Sequence, residues 1–321
     1  MNSKEALNKV KQISILRRSY YDFFVWAWNI IEPSTKLVDN WHIKYLCDLL
    51  QNEIERIAKG EIKTKDIIIN IPPRSSKSLI ITIILNAWAW LRYPQLKFIS
   101  ASYNGSLAIE HAVKTRRIIE SPEYQEIFLN AFKMTSDQNV KSMFENDKFG
   151  FRKSIGTGGG VTGSGADILL IDDPISPELA FSEIERNNCI NWFKETMYSR
   201  LNDQRVGLRI VIMQRLHEDD ITGWILANQK ERWEYICIPA TDDYPIYPEK
   251  LKSNYVDGCF FKERFTKDML ASAKETLGST GFSGQYGQQP MPSSGGMFKR
   301  SWWQYWKGLP STFEVELTSW D

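Results

Sequence analysis

Residues 67–80 admit few local structures: Ile67-Ile68-Ile69-Asn70-Ile71, then Pro72-Pro73-Arg74-Ser75-Ser76-Lys77-Ser78, then Leu79-Ile80. The β-branched run reads as a buried strand. Two prolines and a cluster of small polar residues end it. The apolar stretch Leu79 to Leu91 then suits a buried helix and falls short of the roughly 20 residues needed to span a bilayer. A lysine followed by a hydroxyl residue at a strand-to-helix turn is a phosphate-holding arrangement. Backbone N–H groups face the anion, the ammonium reaches the β/γ oxygens and the hydroxyl takes Mg²⁺. The full pattern has glycine at positions 71 and 76, where this chain has Ile71 and Ser76.

A second feature raises the weight of the first. The apolar run Ile168-Leu169-Leu170-Ile171 ends in Asp172-Asp173-Pro174. A carboxylate at the C-terminal end of a buried strand is where such folds orient Mg²⁺, and an adjacent one can polarise the attacking water. A plain Asp-Asp-Pro turn is the simpler account. Loop and carboxylates together, in the usual order, favour ATP hydrolysis.

A net charge of +1 does not advertise nucleic acid, so any DNA contact must come from local patches or from an assembled ring. Cys47, Cys189, Cys237 and Cys259 form no CxxC pair, and His42, His111 and His217 are scattered. Zinc is disfavoured, and the thiols read as core residues of a cytosolic protein. The polar opening Met1-Asn2-Ser3-Lys4-Glu5 lacks the apolar segment of a secretory signal, so a soluble protein is expected.

Organisation along the chain points to an α/β fold. Residues 1–60 read as an N-terminal helical region, broken at Pro33-Ser34-Thr35. Strands and helices then alternate: strand 66–71, helix 77–91, strand 97–102, helix 104–120, a strand near 149–154, strand 167–172, helix 178–201, strand 207–214, helix 218–229 and strand 234–238. Such alternation predicts a mostly parallel sheet with helices on both faces. Short helices are expected at 262–277 and 281–289. Pro290 to Gly296 is a linker by composition, and Glu314 to Asp321 alternates like a strand ending at a carboxylate.

Three further segments complete the pattern: the glycine-rich stretch Gly156 to Gly165, Met213-Gln214-Arg215-Leu216-His217-Glu218, and Phe282 to Pro290. A surface loop is the plainest reading of the first, which leads into a strand and so is disfavoured as a second phosphate loop. In this order, with Trp41-His42 and Ser100-Ala101-Ser102, the segments resemble the large subunit of tailed-bacteriophage terminases, the motors that package DNA into capsids. The resemblance runs from about Trp41 to Asp321. It implies a P-loop NTPase domain of the additional-strand type over 61–289, a linker over 290–312, and at 313–321 the first strand of a ribonuclease-H-like nuclease truncated here. Asp321 would be that nuclease's first metal ligand. One carboxylate cannot hold two metals, so no nuclease activity is expected.

The resemblance also implies roles. Pro73, Arg74, Ser75, Ser76, Lys77 and Ser78 would form the nucleotide-binding loop, with Lys77 on the β/γ phosphates and Ser78 on Mg²⁺. Arg74 matches a loop arginine that senses or stabilises the γ-phosphate. Asp172 would orient Mg²⁺ and Asp173 would polarise water, with Glu178 and Glu183 as rivals for that base. Gln214 and Arg215 match a coupling motif, and Trp41 and His42 an adenine pocket. The implied cofactors are ATP and Mg²⁺. The implied partners are double-stranded DNA, the portal protein, the terminase small subunit and further copies in a ring, in the bacterial host cytoplasm and transiently at the procapsid portal. Arg116, Arg117, Arg200 and Arg205 are candidates for an arginine acting across the ring. Lys114, Arg116, Lys148, Arg152 and Lys153 are candidates for DNA backbone contact, with a solvated face as the plainer account of each. A helicase-like or other RecA-like ATPase, or a degenerate nucleotide-binding module kept for docking, are the competing readings.

Overall fold

Eight strands form one sheet in the order β3-β4-β5-β2-β6-β7-β1-β8 in this computed structural model, which describes residues 3–128, 131–160 and 163–291. The strands are β1 (Asp66–Asn70), β2 (Phe98–Ser102), β3 (Met134–Val140), β4 (Met143–Asn146), β5 (Phe151–Gly156), β6 (Ile168–Asp172), β7 (Leu208–Met213) and β8 (Trp233–Cys237). From β5 to β8 all neighbours run parallel; β3 and β4 add an antiparallel hairpin at one edge. Strand β7 lies between β1 and β6, the strand order expected from the resemblance.

Side chains on a strand alternate between faces, and here both faces are covered. Ile67 and Ile69 join one core with α1 (Ser3–Arg18), α2 (Tyr20–Ile31), α3 (Trp41–Ala58) and α4 (Leu85–Arg92). Ile68, Leu169 and Ile171 face the other core, closed by α7 (Glu183–Trp192) and α8 (Ile221–Asn228). Double-sided burial explains the uninterrupted apolar runs of β1 and β6. The remaining helices are α5 (Gly105–Glu120), α6 (Pro122–Phe128) and α9 (Lys267–Gln285). Among the described residues no helix is long and apolar enough to cross a membrane. All four cysteines are free and buried.

Three details differ from the sequence pattern. The hairpin β3–β4 was not expected from Met134-Thr135-Ser136-Asp137-Gln138-Asn139-Val140. An edge hairpin buries only part of itself, and Phe144 anchors it against Trp90, with ring centroids 5.8 Å apart. The helix expected at 178–201 is a turn over 177–181 followed by α7, because Ser182 caps the helix by accepting from the Glu185 N–H. Glu178 therefore stands off the helix. The helices expected at 262–277 and 281–289 meet at Gly278, whose φ of 68° breaks α9, and the second ends at Gln285. Residues 292–321, which include most of the expected linker and the strand carrying Asp321, lie outside the described residues.

Candidate nucleotide site at the strand ends

Strand β1 delivers the chain into the loop Ile71 to Ser78, and the loop is tied at several points. The Ile71 N–H donates to Met213 O at 3.3 Å, and Ser75 Oγ donates to Pro72 O at 2.8 Å. His42 Nε2 lies 3.0 Å from Ser75 O. Asn40 Nδ2 lies 2.7 Å from His42 Nδ1, which makes Nδ1 the acceptor and puts the ring proton on Nε2. Burial lowers the His42 pKa to about 4, so the ring is neutral. Arg74 and Ser76 hold φ of 64° and 63°, the left-handed region that glycine enters freely. The Ile80 N–H donates to Ser76 O at 3.0 Å and starts the helix. That helix is wound in the wider π form over Leu79–Ile84 before α4.

Lys77 is 7% exposed, and its Nζ lies 2.9 Å from Asp173 Oδ2. The other oxygen, Asp173 Oδ1, accepts the Gln214 N–H at 3.2 Å. The Asp173 backbone is held on both sides: its N–H donates to Ile212 O at 2.9 Å, and its C=O accepts the Tyr103 N–H at 3.0 Å. Asp172 is 1% exposed; its Oδ2 accepts from Thr82 Oγ1 at 2.7 Å, its Oδ1 makes no full hydrogen bond among the described residues, and the Ser78 hydroxyl stands close enough to the carboxylate to favour its charged form. Burial pushes both carboxyl pKa values up, and the Lys77 charge opposes this in each case. Ammonium, hydroxyl and paired carboxylates converge where β1 and β6 end, at the carboxyl edge of the parallel sheet, the usual ligand position of such folds.

The donor set suits Mg²⁺. A buried carboxylate oxygen makes no full hydrogen bond, and Ser78 offers a hydroxyl beside Lys77. No group of three or more His, Cys, Asp or Glu side chains able to hold a metal occurs among the described residues. Mg²⁺ does not need one, because it keeps several waters and borrows phosphate oxygens.

No protein-family model matches this chain, and no curated protein matches it. Solved structures do. The large terminase of bacteriophage HK97 superposes with a TM-score of 0.50 at 14% identity, over 85% of this chain and 55% of that one. The fold is that of a large terminase. The large terminase of a thermophilic bacteriophage matches at a TM-score of 0.41 and 10% identity, over 74% of this chain and 53% of that one. A structure of that thermophilic enzyme in complex with ADP matches at 0.40 and 9% identity, over 73% and 51%. This chain spans about half the length of the terminases it matches.

Within this terminase fold Pro73 is half-buried and Arg74 exposed. His42 is fully buried against Phe260 and Phe261, with ring centroids 5.1 and 5.3 Å away. In this structure it presents no surface and supports the loop through Ser75 O. Trp41 is half-buried and donates Nε1–H to Phe260 O at 3.0 Å. Arg215 is locked by Asp220, with Nε 2.8 Å from Oδ2. Glu178 and Glu183 are exposed.

Arg152 corrects the expectation of a solvated, DNA-facing side chain, since it is 0% exposed. Lys114 pairs with Glu110 at 3.0 Å, Lys148 with Asp147 at 3.3 Å, and Lys153 Nζ lies 3.0 Å from Ser164 Oγ. Arg116 Nη1 donates to Asn139 Oδ1 at 3.0 Å, and Arg205 pairs with Asp203 at 3.2 Å. Arg117 is exposed and Arg200 half-buried. Sequence reading missed Thr82, which reaches Asp172, and Gln288, whose Oε1 accepts the Arg215 N–H at 3.0 Å. Thr82 lies one helical turn beyond Ser78, a spacing that signals a shared face.

Proposed function

We propose that this chain is the ATPase motor portion of a terminase large subunit, hydrolysing ATP with Mg²⁺ to drive double-stranded DNA into a procapsid. The observation that carries the reading is the Lys77 ammonium 2.9 Å from Asp173 at the sheet's carboxyl edge, beside a buried Asp172 with one oxygen that makes no full hydrogen bond. The fold shared with the HK97 large terminase supports the motor assignment over another P-loop ATPase.

Roles follow from the chemistry of each group. The backbone of Pro73 to Ser78 would cradle the phosphates, and Lys77 would neutralise the β/γ oxygens. Ser78 and Asp172 would hold Mg²⁺, which supplies charge neutralisation to the phosphate oxygens when bound. Asp173 would accept a proton from the attacking water as its oxygen bonds to the γ-phosphorus and the bond to the β-phosphate oxygen breaks, releasing ADP and phosphate. Glu178 and Glu183 remain rivals as base. Arg74, on the exposed loop, would stabilise the γ-phosphate. Gln214, whose backbone already touches Asp173, would report the state of the phosphate together with Arg215.

DNA would be held through its backbone without base readout, since a motor crosses every sequence. We further propose assembly as a ring on the portal protein with the small subunit, in the host cytoplasm. The domain limits belong to the same proposal: helices over 1–60, the ATPase over 61–289, a linker over 290–312 and the opening nuclease strand over 313–321.

Nucleotide titration with Mg²⁺, followed by phosphate release, tests the reading. Parent chain should bind and turn over ATP slowly, and Lys77→Ala should abolish turnover. Equal turnover in the two would sink it. Binding without phosphate release would favour a docking module, the reading for which the left-handed Ser76 speaks.

A further inference from the structure

Three carbonyls of the π turn Leu79–Ile84 are held by side chains from three other elements. The Tyr20 hydroxyl on α2 donates to Ile80 O. Arg152 on β5 donates from Nη1 to Thr82 O at 2.5 Å, and Thr115 on α5 donates from Oγ1 to Ile83 O at 2.8 Å. Arg152 also donates to Thr115 Oγ1 and, through Nη2, to Ser100 Oγ, both at 3.0 Å. It is fully buried and forms no ion pair within 4 Å among the described residues, and the carboxylate whose charge favours it is that of Asp172. A buried guanidinium is costly, so its position needs a reason.

The π form supplies one. Widening a helix by one residue rotates the next turn by about 100° and is found chiefly at functional sites. In this turn the carbonyl of Thr82 faces Arg152, while its hydroxyl reaches Asp172 Oδ2 at 2.7 Å. The same residue thus links the buried arginine to the carboxylate.

We infer that Arg152 is a positioning residue for Asp172: it holds the π turn through Thr82 O, and so aims the Thr82 hydroxyl at Oδ2 and turns Oδ1 toward the Ser78 side of the site. The effect on turnover rests on the proposed ATPase reading; the geometric effect does not.

The experiment therefore has two arms. In the first, crystal structures of Arg152→Met and of the milder Thr115→Val are solved without nucleotide. The π turn should relax and the Thr82–Asp172 bond open. Persistence of that bond in either variant overturns the inference, whatever the enzymatic activity. In the second, Arg152→Met, Thr82→Val and the double variant are assayed for turnover against Mg²⁺. Each single change should lower kcat and raise the Mg²⁺ requirement by about 10- to 100-fold, with KM for ATP within about threefold of the parent. The double variant should fall no further than the worse single one. Additive losses, or a raised KM at unchanged kcat, would overturn it. A parent without turnover would remove the ATPase reading and leave the first arm to decide.

Discussion

The ammonium of Lys77 stands 2.9 Å from Oδ2 of Asp173, although β7 separates the strands that deliver them. Asp173 bridges that gap because it leaves β6 with a φ of 44°, which turns it away from the ladder. Its second oxygen meets the Gln214 N–H at the end of β7. One carboxylate therefore ties together the ends of three adjacent strands.

Ser76 should tolerate glycine with profit. Its φ of 63° costs a non-glycine residue about 1–2 kcal/mol. Part of that gain is offset by the freer unfolded chain, leaving about 0.5–1 kcal/mol of net stabilisation for Ser76→Gly. Urea unfolding measures it, and phosphate release should be preserved or raised. A less stable variant would mean that the serine makes a contact of its own.

The loop support at His42 predicts a pH dependence. Burial holds its pKa at about 4, below the 6.5 of a free imidazole. The native state binds fewer protons than the unfolded state between these values. The contribution is thus present above pH 6.5 and is lost as pH falls toward 4, by about 1.4 kcal/mol per unit. His42→Gln keeps an N–H for Ser75 O and lacks the titration. Its unfolding free energy should show a shallower slope than the parent between pH 6.5 and 4.5; parallel slopes would refute the assignment.

Arg215 should be needed for stability as well as for any coupling. Its guanidinium is bound to both oxygens of Asp220, which is 1% exposed. Arg215→Ala leaves that buried carboxylate with the Leu216 and Gly223 N–H groups but without its cation, and should cost about 3–5 kcal/mol, read as a shift in denaturant midpoint. Arg215→Lys should recover only part of the loss, since an ammonium lacks the guanidinium's planar array of donors.

Gly156 ends β5 where the chain passes the start of α5. A Cβ there would lie 2.7 Å from the Gly105 nitrogen and 3.1 Å from the Asn104 carbonyl carbon, both backbone. Gly156→Ala should destabilise by about 1–3 kcal/mol. Gly160→Ala, with nothing within 4 Å of its Cβ, should stay within about 0.5 kcal/mol of the parent. Thermal unfolding of the pair provides the comparison.

Local pattern carried the strands buried on both faces, because Ile67-Ile68-Ile69 and Ile168-Leu169-Leu170-Ile171 have no reading in which either face meets water. It carried the turn from Pro72 to Ser78 and the acidic pair Asp172-Asp173 for a related reason: groups that are neighbours in the chain leave a contiguous trace. The hairpin β3–β4 left almost none, since the residues that seat it, Met134, Met143 and Phe144, are few and dispersed.

Packing decided the rest. Residue type places an arginine on the surface, and only the meeting of β5, β2 and α5 with the π turn gives Arg152 the oxygens of Thr82, Thr115 and Ser100. His42 likewise became a strut for the loop because α3 lies against it, with Phe260 and Phe261 closing over the ring from far along the chain. Hydrogen-bond partners distant in sequence are fixed by which surfaces come together, and no short window of residues records that choice.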